Sequence, residues 1–300
     1  MLNINKFYAD QKITVAPSYH KHNRPGWVNT KCHFCSGNPG YHLGFNLRSG
    51  YFTCHRCGWH PIDKVIEAIT GIKGKNNQKP LLAKYYTGKI DDEDKKIIRP
   101  SSLSLPDGIG PMMRRHKIYL MNRNYDPLKL EKDWGLLGTN HIGNYKFRIV
   151  APIEFEYQLV SYQGRDITGK TDLRYKACSE DEEVVSHKHV LYGWDKAVGD
   201  RCLVVEGITG AWRFGFGSLA TFGAEYKQSQ VRLIASRYKT VFLLMDMDEA
   251  GRRAADSLET KLSILGCDTH NLELSYGDSG DVPQDTADYF MARDAMIRRQ

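Results

Sequence analysis

No apolar run in this 300-residue chain approaches the ~18–20 residues that cross a bilayer. The first residues, MLNINKFYADQK, lack the apolar core of a signal peptide. Together these absences predict a cytoplasmic protein with no membrane partner. Internal repeats are missing, as is low-complexity sequence outside residues 73–105. A disulfide framework is not expected either, because the seven cysteines are odd in number and no secretion signal accompanies them.

What is present is unevenly spread charge. The net charge is +7. Residues 1–72 carry 8 Lys/Arg against 3 Asp/Glu, residues 73–100 carry 8 against 4, and residues 201–300 carry 12 against 14. A basic module joined to an acid-containing one suits a polyanion binder with a metal site. Charge alone leaves a merely solvated basic face equally open. The length allows two domains, or a large one with a small module. Four stretches follow from the pattern. Residues 1–72 hold a cysteine cluster and a helix expected from Ile62 to Thr70, stopped by Gly71. Residues 73–105 are polar with little apolar period and read as a linker. Residues 106–200 mix a helix with short strands. Residues 201–300 alternate strand and helix, with Ala254, Leu258, Leu262 and Leu265 at helical spacing. That alternation predicts an α/β domain with a mostly parallel sheet, whose ligands sit beyond the carboxyl ends of the strands.

Cys32, Cys35, Cys54 and Cys57 are spaced C-x2-C-x18-C-x2-C. Two such turns, brought together by a hairpin over YHLGFNLRSGYFTC, supply four thiolates to a tetrahedral structural zinc and predict a zinc ribbon. Cys178, Cys202 and Cys267 are scattered and expected to be small buried hydrophobes. The ribbon sequence interleaves Tyr41, His42, Phe45, Arg48, Tyr51, Phe52, Arg56 and Trp59 with few acids. Aromatic and basic side chains together suit single-stranded nucleic acid. Several of those aromatics are equally expected as the core of so small a module. His33, Arg48, Arg56 and Trp59 are the candidate template readers.

Carboxylates gather where the alternating segment ends its strands. Glu206-Gly207 follows LVV, Asp246-x-Asp248 follows VFLLM, and YGDSGD brings Asp278 and Asp281. Carboxylates converging there repel unless a divalent cation neutralises them, and hard oxygen donors point to Mg²⁺ or Mn²⁺. Solvated loop acids are the plain alternative. The stretch GRDITGKT, Gly164 to Thr171, satisfies the phosphate-loop pattern G-x-x-x-x-G-K-[ST]. A working phosphate loop opens into a helix, yet DLRYKACS after it reads as a strand. A hairpin is therefore expected, with Lys170 as a turn lysine within reach of phosphate.

The segments LVVEG, SLATFG, VFLLMDMDEAG and YGDSGD resemble the Toprim fold of DnaG-type primases, topoisomerases and some nucleases. With the ribbon CHFC…GYFTCHRCG in front, the chain resembles phage-type DnaG-like primases over nearly its whole length outside the linker. The resemblance implies a ribbon (1–72), a basic subdomain of a polymerase core (106–200) and a Toprim subdomain (201–300). It implies Mg²⁺ on Glu206, Asp246 and Asp248, with Asp278 and Asp281 as further acids. It implies Arg165, with Arg174 or Lys176, on template or nucleotide phosphates. The expected activity is RNA primer synthesis on single-stranded DNA from ribonucleoside triphosphates, alongside a replicative helicase, in a host cytoplasm if phage-encoded. One departure stands out: many primases read Glu-Gly-x-x-Asp, and here the fifth position is Gly210. A Toprim nuclease and a non-catalytic zinc-ribbon DNA-binding protein are the competing expectations.

Overall fold

The structure is a computed structural model and describes residues 2–17, 20–22, 24–36, 40–47, 50–86, 101–273 and 277–293. It falls into two compact units, residues 1–91 with 248–271, and residues 92–247 with 272–300.

The first unit opens with α1 (Ile4–Asp10), capped by Asn3, whose side chain accepts the Lys6 N–H at 3.0 Å. An antiparallel meander follows: β1 (Trp27–Thr30), β2 (Leu43–Asn46), β3 (Phe52–Cys54) and β4 (Gly58–His60). Alternation fixes its register, with Leu43 opposite Cys54 and Phe45 opposite Phe52, all four buried on one face. Helix α2 (Ile62–Thr70) ends at Gly71, whose φ of +74° is the left-handed turn that stops a helix. The expected helix is thus observed between its expected bounds. The segment expected as a linker contains a further helix, α3 (Lys75–Ala83). Its composition is polar, but Gln78 is buried, its amide donating to the carbonyls of Asp63 and Ile72.

The second unit contains β5 (Ile109–Gly110), α4 (Arg114–Asn122), α5 (Pro127–Trp134), β6 (Leu137–Thr139), β7 (Arg148–Phe155), β8 (Gln158–Asp166) and β9 (Tyr175–Ala177). The strands form one antiparallel sheet in chain order. Helix α5 was not foreseen, although its start is well marked: Asp126 accepts the N–H groups of Leu128 and Lys129, and Pro127 takes the first helical position. Next come β10 (Arg201–Val205), α6 (Ile208–Phe214), β11 (Ser218–Ala220), α7 (Gln228–Arg237) and β12 (Thr240–Leu244). Strand β10 lies between β11 and β12 and runs parallel to both, as the alternation predicted. One core joins the two sheets through Ile149, Ile153 and Val160 on one side and Leu203, Val205 and Leu244 on the other.

Helix α8 (Glu249–Ile264) and β13 (Asp268–Asn271) belong to the first unit, and α9 (Gln284–Arg293) to the second. Helix α2 has no side-chain cap of its own; Asp256 of α8 supplies one, its Oδ2 accepting the Ile62 N–H at 2.7 Å. Lys75 pairs with Glu259 at 2.6 Å and approaches Asp256 at 3.9 Å. Burial pushes the Asp256 carboxyl up to about 6, against the lowering pull of the Ile62 N–H and Lys75. Among the described residues, no helix is long and apolar enough to cross a membrane.

Candidate functional site

Pairing β2 with β3 brings both C-x2-C turns together. The sulfurs of Cys32 and Cys57 lie 3.6 Å apart, Cys35 and Cys54 3.5 Å, and Cys35 and Cys57 3.4 Å. A tetrahedral zinc with ~2.3 Å bonds spaces its thiolates roughly 3.8 Å apart, so the set fits that ion. Among the described residues, these four are the group of three or more such ligands that closes within 4.8 Å. Burial raises Cys54, but hydrogen bonds from the backbone N–H groups of Arg56 and Cys57 and from the Cys57 and Cys35 thiols together leave it below its usual range. His60 was not foreseen. Its Nε2 lies 3.1 Å from the Cys57 sulfur and its ring stacks on Phe34 at 4.0 Å, so it supports a thiolate from outside the ligand set. Its place, three residues beyond Cys57, was the available signal. Cys178, Cys202 and Cys267 are buried, as expected.

The ribbon aromatics divide. Phe45 and Phe52 are core. Tyr51 lies beneath the Arg253 guanidinium, 4.8 Å from its ring centre. His33 and Arg56 are exposed, and Trp59 is half-buried with its indole N–H unpartnered. Arg48 lies outside the described residues.

GRDITGKT is the bend between β8 and β9, and a strand, not a helix, follows it. Asp166 closes the bend, its Oδ2 accepting the N–H groups of Thr168 at 3.0 Å and Gly169 at 2.7 Å. Arg165 is 8% exposed; its Nε donates to the Tyr119 hydroxyl at 2.9 Å, and its guanidinium covers the Tyr175 ring at 4.5 Å. Arg148, which sequence reading passed over, spans the hairpin from beneath by donating to the carbonyls of Gly164 and Leu173. A Cβ on Gly164 would meet the Arg148 chain at 3.0 Å, so the glycine makes room for that arginine. Lys176 lies over the Tyr145 ring at 4.6 Å, while Lys170 and Arg174 are exposed.

In the parallel sheet Val205 is opposite Leu244, which puts Glu206 and Asp246 just past the carboxyl ends of adjacent strands. The Ser279 N–H donates to Asp246 Oδ1 at 3.3 Å, tying the loop after residue 277 to β12. Asp278 Oδ1 accepts the Gly280 N–H at 2.7 Å, and Asp281 pairs with Arg123. The same loop presses on α6: a Cβ on Gly210 would lie 2.4 Å from Ser279 Oγ, and one on Gly280 would lie 2.8 Å from Thr209 Oγ1. Ser279 thus fills the space a carboxylate at position 210 would need. Buried Arg213 and Tyr125 hold the loop from behind, the Tyr125 hydroxyl lying 2.7 Å from the Gly280 carbonyl. Neither was foreseen, since a buried arginine leaves no periodic signal. Asp248 caps α8 in the first unit, accepting the Gly251 N–H at 2.7 Å.

Residues 206–285 match the Toprim-like family. No curated protein matches the sequence. Among solved structures, the chain is similar to the zinc-binding and RNA polymerase domains of the Aquifex aeolicus primase. Identity is 19% and the TM-score 0.50, over 97% of this chain and 82% of that one. It is also similar to the primase fragment of the bacteriophage T7 primase-helicase protein, at 16% identity and a TM-score of 0.45, over 88% and 97% of the two chains. A DnaG primase catalytic domain bound to single-stranded DNA matches at 21% identity and a TM-score of 0.48, over 61% and 71%. The chain therefore carries a Toprim-like domain. Around it, the chain has the fold of the Aquifex zinc-binding and polymerase domains, as the sequence resemblance implied.

Proposed function

We propose that the chain is a DNA primase, joining ribonucleotides into short RNA on single-stranded DNA. The 3′-hydroxyl of one nucleotide attacks the α-phosphate of the next, and pyrophosphate leaves. The observation that carries this reading is the pair Glu206 and Asp246 at the ends of adjoining parallel strands, inside the Toprim-like match. We assign Glu206, Asp246 and Asp278 to a Mg²⁺ or Mn²⁺ ion; Asp281, engaged by Arg123, completes the acidic edge. Backbone N–H groups on Asp246 and Asp278 fix the aim of those carboxylates, and their hard oxygens suit such an ion. When bound, the ion neutralises triphosphate charge and polarises the attacked phosphate. Arg165, Arg174 and Lys176 draw nucleotide or template phosphate to the antiparallel sheet. Lys170 contributes only diffuse positive charge. His33, Arg48, Arg56 and Trp59 offer the template a basic and aromatic face on the zinc-bearing ribbon. A replicative helicase is the proposed partner.

The test supplies single-stranded DNA, radiolabelled ribonucleotides and Mg²⁺ and reads short RNA on a gel. Asp246→Asn should lower the yield at least ~100-fold, the scale of losing one electrostatic stabiliser. Product made equally by wild type and Asp246→Asn refutes the site. Nicked or degraded DNA with no RNA would replace the polymerase reading by a nuclease.

A further inference from the structure

The ribbon carries a second cluster of metal-binding side chains that the thiol site does not use. His22 stands at its centre. Its ring centre lies 5.3 Å from that of His42, 5.5 Å from that of His55 and 5.2 Å from that of His20. The three partners come from separate places: the loop before β1, the residue before β2 and the turn after β3. The His55 N–H donates to the His42 carbonyl at 3.1 Å, so two of those places are locked together by backbone. No helical or strand period produces such a group; the fold assembles it.

We propose that His22, His42 and His55, with His20 beside them, form a second metal site for a borderline divalent ion such as Zn²⁺, Ni²⁺ or Co²⁺. Two imidazoles bound to one tetrahedral ion at ~2.0–2.1 Å place their ring centres roughly 5 Å apart, the spacing His22 keeps with each neighbour. His42 Nδ1 is buried and has no hydrogen-bond partner among the described residues, as a ligand atom without its ion would be. The opposite edge of that ring presses on Gly40, where a Cβ would lie 2.6 Å from Nε2. Glycine therefore keeps the ring's place open. All the donors are imidazole nitrogens, a set that selects against Mg²⁺ and for later transition metals. No three of these nitrogens lie within 4.8 Å of one another here, so binding turns the rings about their side-chain torsions while the backbone stays. The cluster is independent of the polymerase reading.

The test uses the untagged full chain. After zinc loading and dialysis, elemental analysis should give two zinc ions per wild-type chain and one in the His22→Ala, His42→Ala double variant. The remaining ion, released by a thiol reagent, reports that the ribbon is still folded. Calorimetric titration of Ni²⁺ into chain holding one zinc should show one site, weakened at least tenfold in the double variant and unchanged in His33→Ala. One zinc per wild-type chain overturns the proposal. So does nickel binding that needs millimolar metal, or binding equally tight in wild type and the double variant.

Discussion

Replacing Arg213 by methionine removes the side chain that fixes the acidic loop to α6. Arg213 is 1% exposed, and among the described residues its hydrogen bonds go to carbonyl oxygens, not to a carboxylate. Its guanidinium donates to the carbonyls of Gly280 at 3.2 Å, Asn124 at 2.8 Å and Arg123 at 2.8 Å. It also donates to Gln284 Oε1 at 3.0 Å and lies 3.9 Å over the Tyr125 ring. Backbone dipoles thus stabilise a buried charge, and the charge in turn binds the part-buried carbonyls of Arg123 and Asn124 and shares the Gly280 carbonyl with the Tyr125 hydroxyl. Methionine matches the chain length but satisfies none of them. Each buried carbonyl left unpartnered costs about 1–3 kcal/mol, and entering water relieves part of the total. The Gly280 carbonyl keeps the Tyr125 hydroxyl, so a loss of roughly 2–4 kcal/mol results, which for a unit of this size lowers Tm by about 4–16 °C. Arg213→Lys should recover at most half, because one ammonium cannot span carbonyls on separate segments. Urea unfolding followed by circular dichroism measures both. A loss under about 1 kcal/mol for methionine, or full stability with lysine, refutes the account.

Gly210→Asp, which restores the Glu-Gly-x-x-Asp pattern, should add no activity and should destabilise by about 1–3 kcal/mol through overpacking against Ser279. Adding Ser279→Gly should return much of that loss in a double-mutant cycle. Asp256 has its carboxyl pushed up to about 6 from 3.8, so the folded state binds the extra proton. Its stabilising share is complete below pH ~4 and is lost as pH rises through 6. Urea midpoints of wild type should therefore fall, relative to Asp256→Asn, between pH 4 and 6; a constant difference refutes the shift. Lys170→Ala should leave primer synthesis within about twofold, whereas Arg165→Ala, which also strips contacts from Tyr119 and Tyr175, should lower it by roughly tenfold or more. A larger loss at Lys170 than at Arg165 in the same assay reverses the assignment.

The features legible in the sequence were those with a period or a fixed spacing. The thiol pairs, the helix from Ile62 to Thr70 and the parallel order of β10 and β12 each follow from a local rule. The misses share a different cause. Helix α3 hides its burial in Gln78 and Leu82, among polar neighbours that read as linker. Arg148 and Arg213 are buried charges satisfied by backbone carbonyls, and those partners lie 16 to 90 residues away in the chain. His60 meets the Cys57 sulfur from outside the four-thiol set. Each of these depends on a partner that only the fold supplies.

GRDITGKT shows the same limit from the opposite side. Every required letter of the phosphate-loop pattern is present, yet the fixed letters do not decide the chemistry. A phosphate loop works because consecutive backbone N–H groups stay unsatisfied until an anion arrives. Here an unconstrained letter, Asp166, supplies the anion from within the chain, and the N–H groups of Thr168 and Gly169 already donate to it. The bend then returns into β9 at Tyr175, so no helix dipole stands behind the loop. A phosphate would have to displace a carboxylate tethered two and three residues from its donors. The proposed cationic role falls instead to Arg165, held at the end of a strand by a hydroxyl and an aromatic face outside the loop.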